Sequence, residues 1–263
     1  ESKGINATWL DDTSEAGLNG DTKYGVVQID TTKADAWTAG QFFMALGEKE
    51  FAKAVENDWA FIKLHMYIAT DENYKKINFL SFNQTVAKDV ETHKWVNVIV
   101  PLAKLNQSGT YLRSLGGDYT KASFLAANNM DQYKHDSAHG EFLCTNTVKE
   151  NTKGYSTNIT YYIDEVSWGI DTKAPEIEVE GLAEKMYEGT FTEPTITVTD
   201  DMALQSRLDS TVETKLYKKD GDVRTEVTLV DNAATLTKGT YEYVVTADDR
   251  IYTDVAGNVA TET

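Results

Sequence analysis

The chain has 263 residues, 41% of them hydrophobic and 25% charged, the values of a folded globular chain with room for one large domain or two ordinary ones. Its formal net charge of −17 repels phosphate backbones and argues against nucleic-acid binding, while suiting neutral ligands such as sugars, or divalent cations. No apolar run is long enough for membrane insertion, and the single cysteine, Cys144, excludes an intramolecular disulfide.

No basic start followed by an apolar stretch is present, so any export signal is expected outside these residues. The first clear strand is expected at Tyr24–Asp30 and the next at Gln41–Leu46. Residues 48–57, EKEFAKAVEN, place Phe51 and Val55 one turn apart among good helix formers and predict the one helix. From Trp59 to Ile68 the period is two. Ala60, Ile62, Leu64, Met66 and Ile68 form a core face, and Trp59, Phe61, Lys63, His65 and Tyr67 point the other way. A strand is expected at Ile77–Asn83. In HKWVNVIVPL, Val96, Val98 and Val100 face one way and Trp95, Asn97 and Ile99 the other, until Pro101 ends the ladder. Residues 103 to 158 show no sustained period and read as loops with short strands. Thr160–Trp168 reads as the last strand of this half.

A compositional break follows. All five tryptophans, at 9, 37, 59, 95 and 168, precede residue 169, and Phe191 is the only phenylalanine after 142. The polar link Gly169-Ile170-Asp171-Thr172-Lys173-Ala174-Pro175 marks a domain junction, so domains are expected at 1–172 and 173–263. Beyond it, Ile177 and Val179 alternate with Glu176, Glu178 and Glu180, and Ile196 and Val198 with Thr195, Thr197 and Thr199. Asp220-Gly221 between β-rich runs signals a hairpin, because that turn needs positive φ. Val223, Val227 and Leu229 share one face. Tyr241, Tyr243, Val245 and Ala247 line a further strand, and Ala256-Gly257-Asn258 makes the last turn. The pattern is all-β in both halves, with six or seven short strands in the second.

The second half, through KAPEIEVEG, ITVTDD, KGTYEYVVTADD and DVAGNVAT, resembles the bacterial immunoglobulin-like repeats of cell-surface proteins and secreted glycan-active enzymes. That resemblance implies an immunoglobulin-like β-sandwich acting as a spacer, with Arg250–Thr253 as an insertion against the tightest version of the pattern. The first half, through YGVVQID, DWAFIKLHMYIATDEN, KWVNVIVPLAKL and YYIDEVSW, resembles the galactose-binding-like jelly rolls that serve as carbohydrate-binding modules. It implies a jelly-roll β-sandwich. In such jelly rolls a structural calcium often joins the first strand to an acidic residue of the last. Asp164 or Glu165 would match, with Asp11 or Asp12 as partners.

The functional lead is the polar-aromatic side of 59–68. Trp59, Lys63, His65 and Tyr67, joined by Trp95 and Asn97 if the strands share a sheet, offer flat rings for sugar C–H faces and polar groups for hydroxyls. Tyr24 and Gln28 are further members. The competing expectation is that this face is covered by 48–57 or by 106–158. His135 and His139, four apart with Asp136 between, echo a zinc-protease helix, but no apolar stripe supports a buried helix there, and a solvated loop is preferred. The pairs Asp200, Asp201 and Asp248, Asp249 could also serve calcium. Four N-x-S/T triplets, at Asn6, Asn83, Asn106 and Asn158, are read as by-products of composition. No serine-hydrolase elbow, no Cys–His pair at Cys144 and no phosphate loop is found, so no enzyme is expected. The expected function is binding of a polysaccharide or other glycan, within a larger secreted or bacterial cell-surface protein or enzyme whose other domains are its partners. The alternative is a purely structural or adhesive module.

Overall fold

Period-two alternation of apolar and polar residues builds strands along most of the chain in the computed structural model. It describes residues 6–11, 18, 25–32, 43–45, 53–54, 56–70, 75–81, 84–104, 142–145, 159–182, 188–203, 205–251 and 255–263. The protein is predominantly β-strand, and its chain divides into two compact units, Glu1–Asp171 and Thr172–Thr263.

In the first unit the strands are β1 (Asn6–Leu10), β2 (Val26–Asp30), β3 (Phe43–Ala45), β4 (Phe61–Ala69), β5 (Lys76–Ser81), β6 (Gln84–Glu91), β7 (Trp95–Pro101), β8 (Phe142–Thr145) and β9 (Thr160–Gly169). One sheet has the order β1-β2-β9-β4-β7 and the other β3-β8-β5-β6. Ile62, Leu64, Met66 and Ile68 of β4, Val98 and Val100 of β7 and Tyr161 and Ile163 of β9 pack with Ile77 and Phe79 of β5 and Val86 of β6. One apolar core therefore draws on both sheets, as in a sandwich. Strand β6 and the edge strand β1 have no counterpart among the sequence expectations. The expected helix falls partly on described residues: Lys53, Ala54 and Glu56 are helical, while Phe51 and Val55 lie outside the described residues.

Strand β9 carries one irregularity that organises the unit. His65 stands opposite Glu165 and Met66 opposite Ile163, so Asp164 is an extra residue in β9. Tyr161 and Ile163 face the core at odd positions, whereas beyond the bulge Val166 lies opposite core-facing Leu64 and Trp168 opposite Ile62. A one-residue shift reverses every side chain of a strand. The bulge uses this to keep Tyr161 and Ile163 before it and Trp168 after it toward the core, with Val166 half exposed, while consecutive Asp164 and Glu165 both reach the opposite face.

The second unit contains β10 (Glu176–Glu180), β11 (Gly189–Thr192), β12 (Thr195–Thr199), β13 (Glu213–Asp220), β14 (Val223–Val227), β15 (Ala233–Leu236), β16 (Thr240–Asp248) and β17 (Val259–Glu262). They form a four-stranded sheet, β14-β13-β16-β17, and the pairs β10-β12 and β11-β15. Phe191, Leu216, Leu236, Tyr243 and Val245 form its main core. Leu208, on the short helix Gln205–Asp209, joins Val198, Ala203 and Ala247 in a second cluster. Gly221 at the β13–β14 turn has φ +61°, and Asp231 and Asn232 have φ of 51° and 59° between bridged Val230 and Ala233. Both are tight hairpin turns of the kind that needs left-handed residues. The Tyr243 hydroxyl donates to Glu193 Oε1 at 3.0 Å, beside Thr214 Oγ1 at 2.8 Å from the same oxygen. Burial, with the Glu193 charge adding to it against the Thr214 bond, pushes this tyrosine up to about 12.

Inserting one alanine after Glu165 breaks the phase that the bulge sets between Ile163 and Trp168 and forces one half of β9 to turn its apolar side outward. The expected loss is about 3 kcal/mol or more in the first unit, against roughly 0.5 kcal/mol for Glu165→Ala at this exposed position. Urea unfolding followed by tryptophan fluorescence measures both, because every tryptophan precedes residue 169; equal costs for the two variants would contradict this role of the bulge.

Candidate functional site: the outer face of the five-stranded sheet

The face of the β1-β2-β9-β4-β7 sheet turned away from the core collects most of the sequence-selected residues. Register sets Gln28 opposite Tyr162, Tyr162 opposite Tyr67, and Tyr67 opposite Trp95, in one row across four strands. The next row sets Glu165, His65 and Asn97 side by side, and the following one Ser167, Lys63 and Ile99. Lys63, His65, Tyr67 and Trp95 are half-buried and Asn97 is exposed, while Tyr162 is buried.

Rings and polar groups interlock in these rows. His65 stacks on Trp95 with centroids 5.0 Å apart, and Tyr67 meets Trp95 edge-on at 5.9 Å and Tyr162 edge-on at 6.3 Å. Gln28 Nε2 donates to the Tyr162 hydroxyl at 3.2 Å. His65 Nδ1 lies 2.7 Å from Asp164 Oδ1, and Lys63 Nζ lies 3.7 Å from Glu165 Oε1. The Asp164 side chain is 9% exposed and that of Glu165 51%, so the first carboxylate is a nearly buried anchor for the imidazole. The second is a solvent-side neighbour of the ammonium, and such exposed pairs contribute little. The Trp95 indole N–H is shielded from water and has no hydrogen-bond partner among the described residues, a costly state for a polar group.

The structure brings together Lys63, His65, Tyr67, Trp95 and Asn97, with Gln28 alongside. Trp59 stands apart from them. It precedes β4 and stacks on Trp168, with centroids 5.6 Å apart and planes 18° from parallel. Trp168 packs against the core, so Trp59 is placed by contact with the core side of β9. Tyr162, whose ring occupies the middle of the first row, was missed from sequence. The double tyrosine Tyr161-Tyr162 carried the signal, since adjacent residues of a strand face opposite ways. Asp164, expected as a calcium ligand, bonds His65; Asp11 is exposed, and Asp12, Tyr24, His135, Asp136 and His139 lie outside the described residues.

The acidic pairs of the second unit serve its backbone and its cations. Asp200 Oδ1 accepts from the backbone N–H groups of Met202 and Ala203 at 2.7 and 2.6 Å. Lys173 reaches Asp201 at 3.4 Å, and Asp249 accepts from Asn258 Nδ2 at 2.6 Å. A side chain on Gly257 would collide with Asp249 and the Arg250 backbone, so glycine is required at that turn. The Arg250 guanidinium grips both oxygens of Asp248. Burial works to raise the Asp248 pKa, but the Arg250 hydrogen bonds and charge outweigh it and hold the carboxyl below the ordinary aspartate value. No protein-family model, curated protein or solved structure matches the chain.

Folded Asp248 binds its proton less readily than unfolded Asp248. Its contribution to stability is complete above the ordinary aspartate pKa and is lost as pH falls through the depressed folded value. Acid titration of stability, read by circular dichroism of the second unit, should therefore show a slope that Asp248→Asn flattens. An identical slope in the variant would assign the acid sensitivity to other carboxylates.

Proposed function

We propose that the first unit is a non-catalytic carbohydrate-binding module of the galactose-binding-like jelly-roll type and that the second is an immunoglobulin-like spacer. Both would belong to a larger secreted or bacterial cell-surface protein. The observation that carries this reading is the composition and exposure of one sheet face. Tyr67 and Trp95 adjoin Gln28, Lys63, His65 and Asn97 in register, and the core face of the same strands is already filled by Ile62, Leu64, Met66, Val98 and Val100. Apolar ring surface beside amide, imidazole and ammonium donors is the mixture a sugar requires, with rings against its C–H faces and donors at its hydroxyls. The bulge in β9 supports the same reading by fixing the orientation of His65 through Asp164. A net charge of −17 favours a neutral glycan over an acidic one.

One observation favours the second reading, a structural or adhesive module without a glycan ligand. One face of the Trp95 ring is occupied by His65 and its N–H is out of water, so part of the aromatic surface is spent on internal packing.

Retention of the full chain on immobilised neutral polysaccharides separates the two. Tyr67→Ala or Trp95→Ala should weaken binding at least about tenfold, as loss of a central aromatic anchor does, with the unfolding transition of the first unit preserved. Wild-type protein that retains no polysaccharide would move the structural reading to first place.

A further inference from the structure

Strand β14 is an open edge. It is hydrogen-bonded to β13 on one side and, among the described residues, to no strand on the other. Val223, Arg224, Thr225 and Glu226 are exposed, Val223 to 65%. Sheet edges are commonly blunted by bulges, prolines or inward charges. Strand β14 has neither bulge nor proline: its register with β13 is unbroken over five residue pairs, and its sequence is VRTEV, whose two edge charges are of opposite sign.

That sequence is complementary to itself. Turned antiparallel about Thr225, it sets Val223 against Val227 and Arg224 against Glu226, and a two-fold axis repeats each contact. The side chains are arranged for it. Arg224 is held in place by Glu242, with Nε 2.6 Å from Oε2, and lies over the Tyr217 ring at 5.7 Å. Glu226 has no ion pair or hydrogen bond among the described residues, so its carboxylate is the uncommitted half of the pair. The edges β17 and β1 lack this property. In β17, VATE turned on itself sets Val259 against Glu262, and in β1, NATWL contains no charge at all.

We propose that β14 pairs antiparallel with β14 of a second copy of this chain, centred on Thr225, joining two four-stranded sheets into one. The pairing satisfies the free backbone groups of both edges, covers Val223 and balances charge locally in a strongly acidic protein.

Sedimentation equilibrium of the full chain, taken up to millimolar concentration, should show a monomer–dimer equilibrium. Glu226→Lys sets lysine against Arg224 twice and should weaken the dimer at least about tenfold, with thermal unfolding unchanged. Cross-strand Cβ atoms lie about 4.5–5.5 Å apart, within reach of a disulfide after a small shift. Thr225→Cys, opposite itself in this register, should therefore oxidise to a covalent dimer faster than Ser206→Cys, an exposed position on the short helix of the same unit. If Glu226→Lys fails to fold, the two cysteine variants decide. A wild-type chain that stays monomeric, a dimer equally tight in folded Glu226→Lys, or equal linking rates for the two cysteines would each overturn the proposal.

Discussion

The extra residue in β9 is the constraint on which the first unit depends. A strand alternates strictly, so a central strand of a two-sheet core cannot change which of its positions are apolar without changing the register of its pairing. In β9 the apolar positions change parity between Ile163 and Val166, and the hydrogen-bonded ladder to β4 absorbs the change opposite His65 and Met66. Packing and surface chemistry are set together by this one step. The core keeps Tyr161, Ile163 and the Trp168 ring, and the far face receives two successive carboxylates. One of them is nearly buried and fixed on His65; the other sits in solvent beside Lys63. The arrangement of the candidate site is a by-product of keeping the core apolar.

Acidic side chains recur in this chain as local partners for backbone and cationic groups. Asp200 closes a turn ahead of the short helix, Asp249 ties down the loop before β17, and Asp248 answers Arg250. Each such carboxylate replaces water with fixed donors at these positions. The turn at Asp231-Asn232 adds a conformational use, since short polar side chains tolerate the left-handed region better than most.

Much of the strand pattern was legible because burial is one-sided. The alternation from Ala60 to Ile68 and that of Val96, Val98 and Val100 are direct records of a core face, and β4 and β7 lie where those patterns run. Strands with weak alternation were not legible. Among the described side chains of β6, QTVAKDVE, Val86 alone is buried, and short β11 and β15 offer too few residues to establish a period. The five-residue helix at Gln205–Asp209 spans little more than one turn, below the length at which a helical period can be read. Within the site, the pairing of His65 with Asp164 was not legible either. Strict alternation places Asp164 and Glu165 on opposite faces, and only the switch from odd to even apolar positions in YYIDEVSW betrays the bulge that unites them. Trp59 shows the reverse error: alternation extended past the end of β4 assigned a face to a residue that no longer belongs to the sheet.

The strand orders also determine when each unit can fold. The central strand β9 is the last of the first unit along the chain, yet it pairs with both β2 and β4, and Gln28 bonds a residue 134 positions away. Until β9 has been made, β1-β2 and β4-β7 have nothing to join them into one sheet. In the second unit β13 meets β14 across a tight turn, and β16 follows close behind. Closing long loops slows folding. A nascent chain therefore holds its first unit as unjoined ribbons until β9 has emerged, whereas the second unit closes over shorter loops.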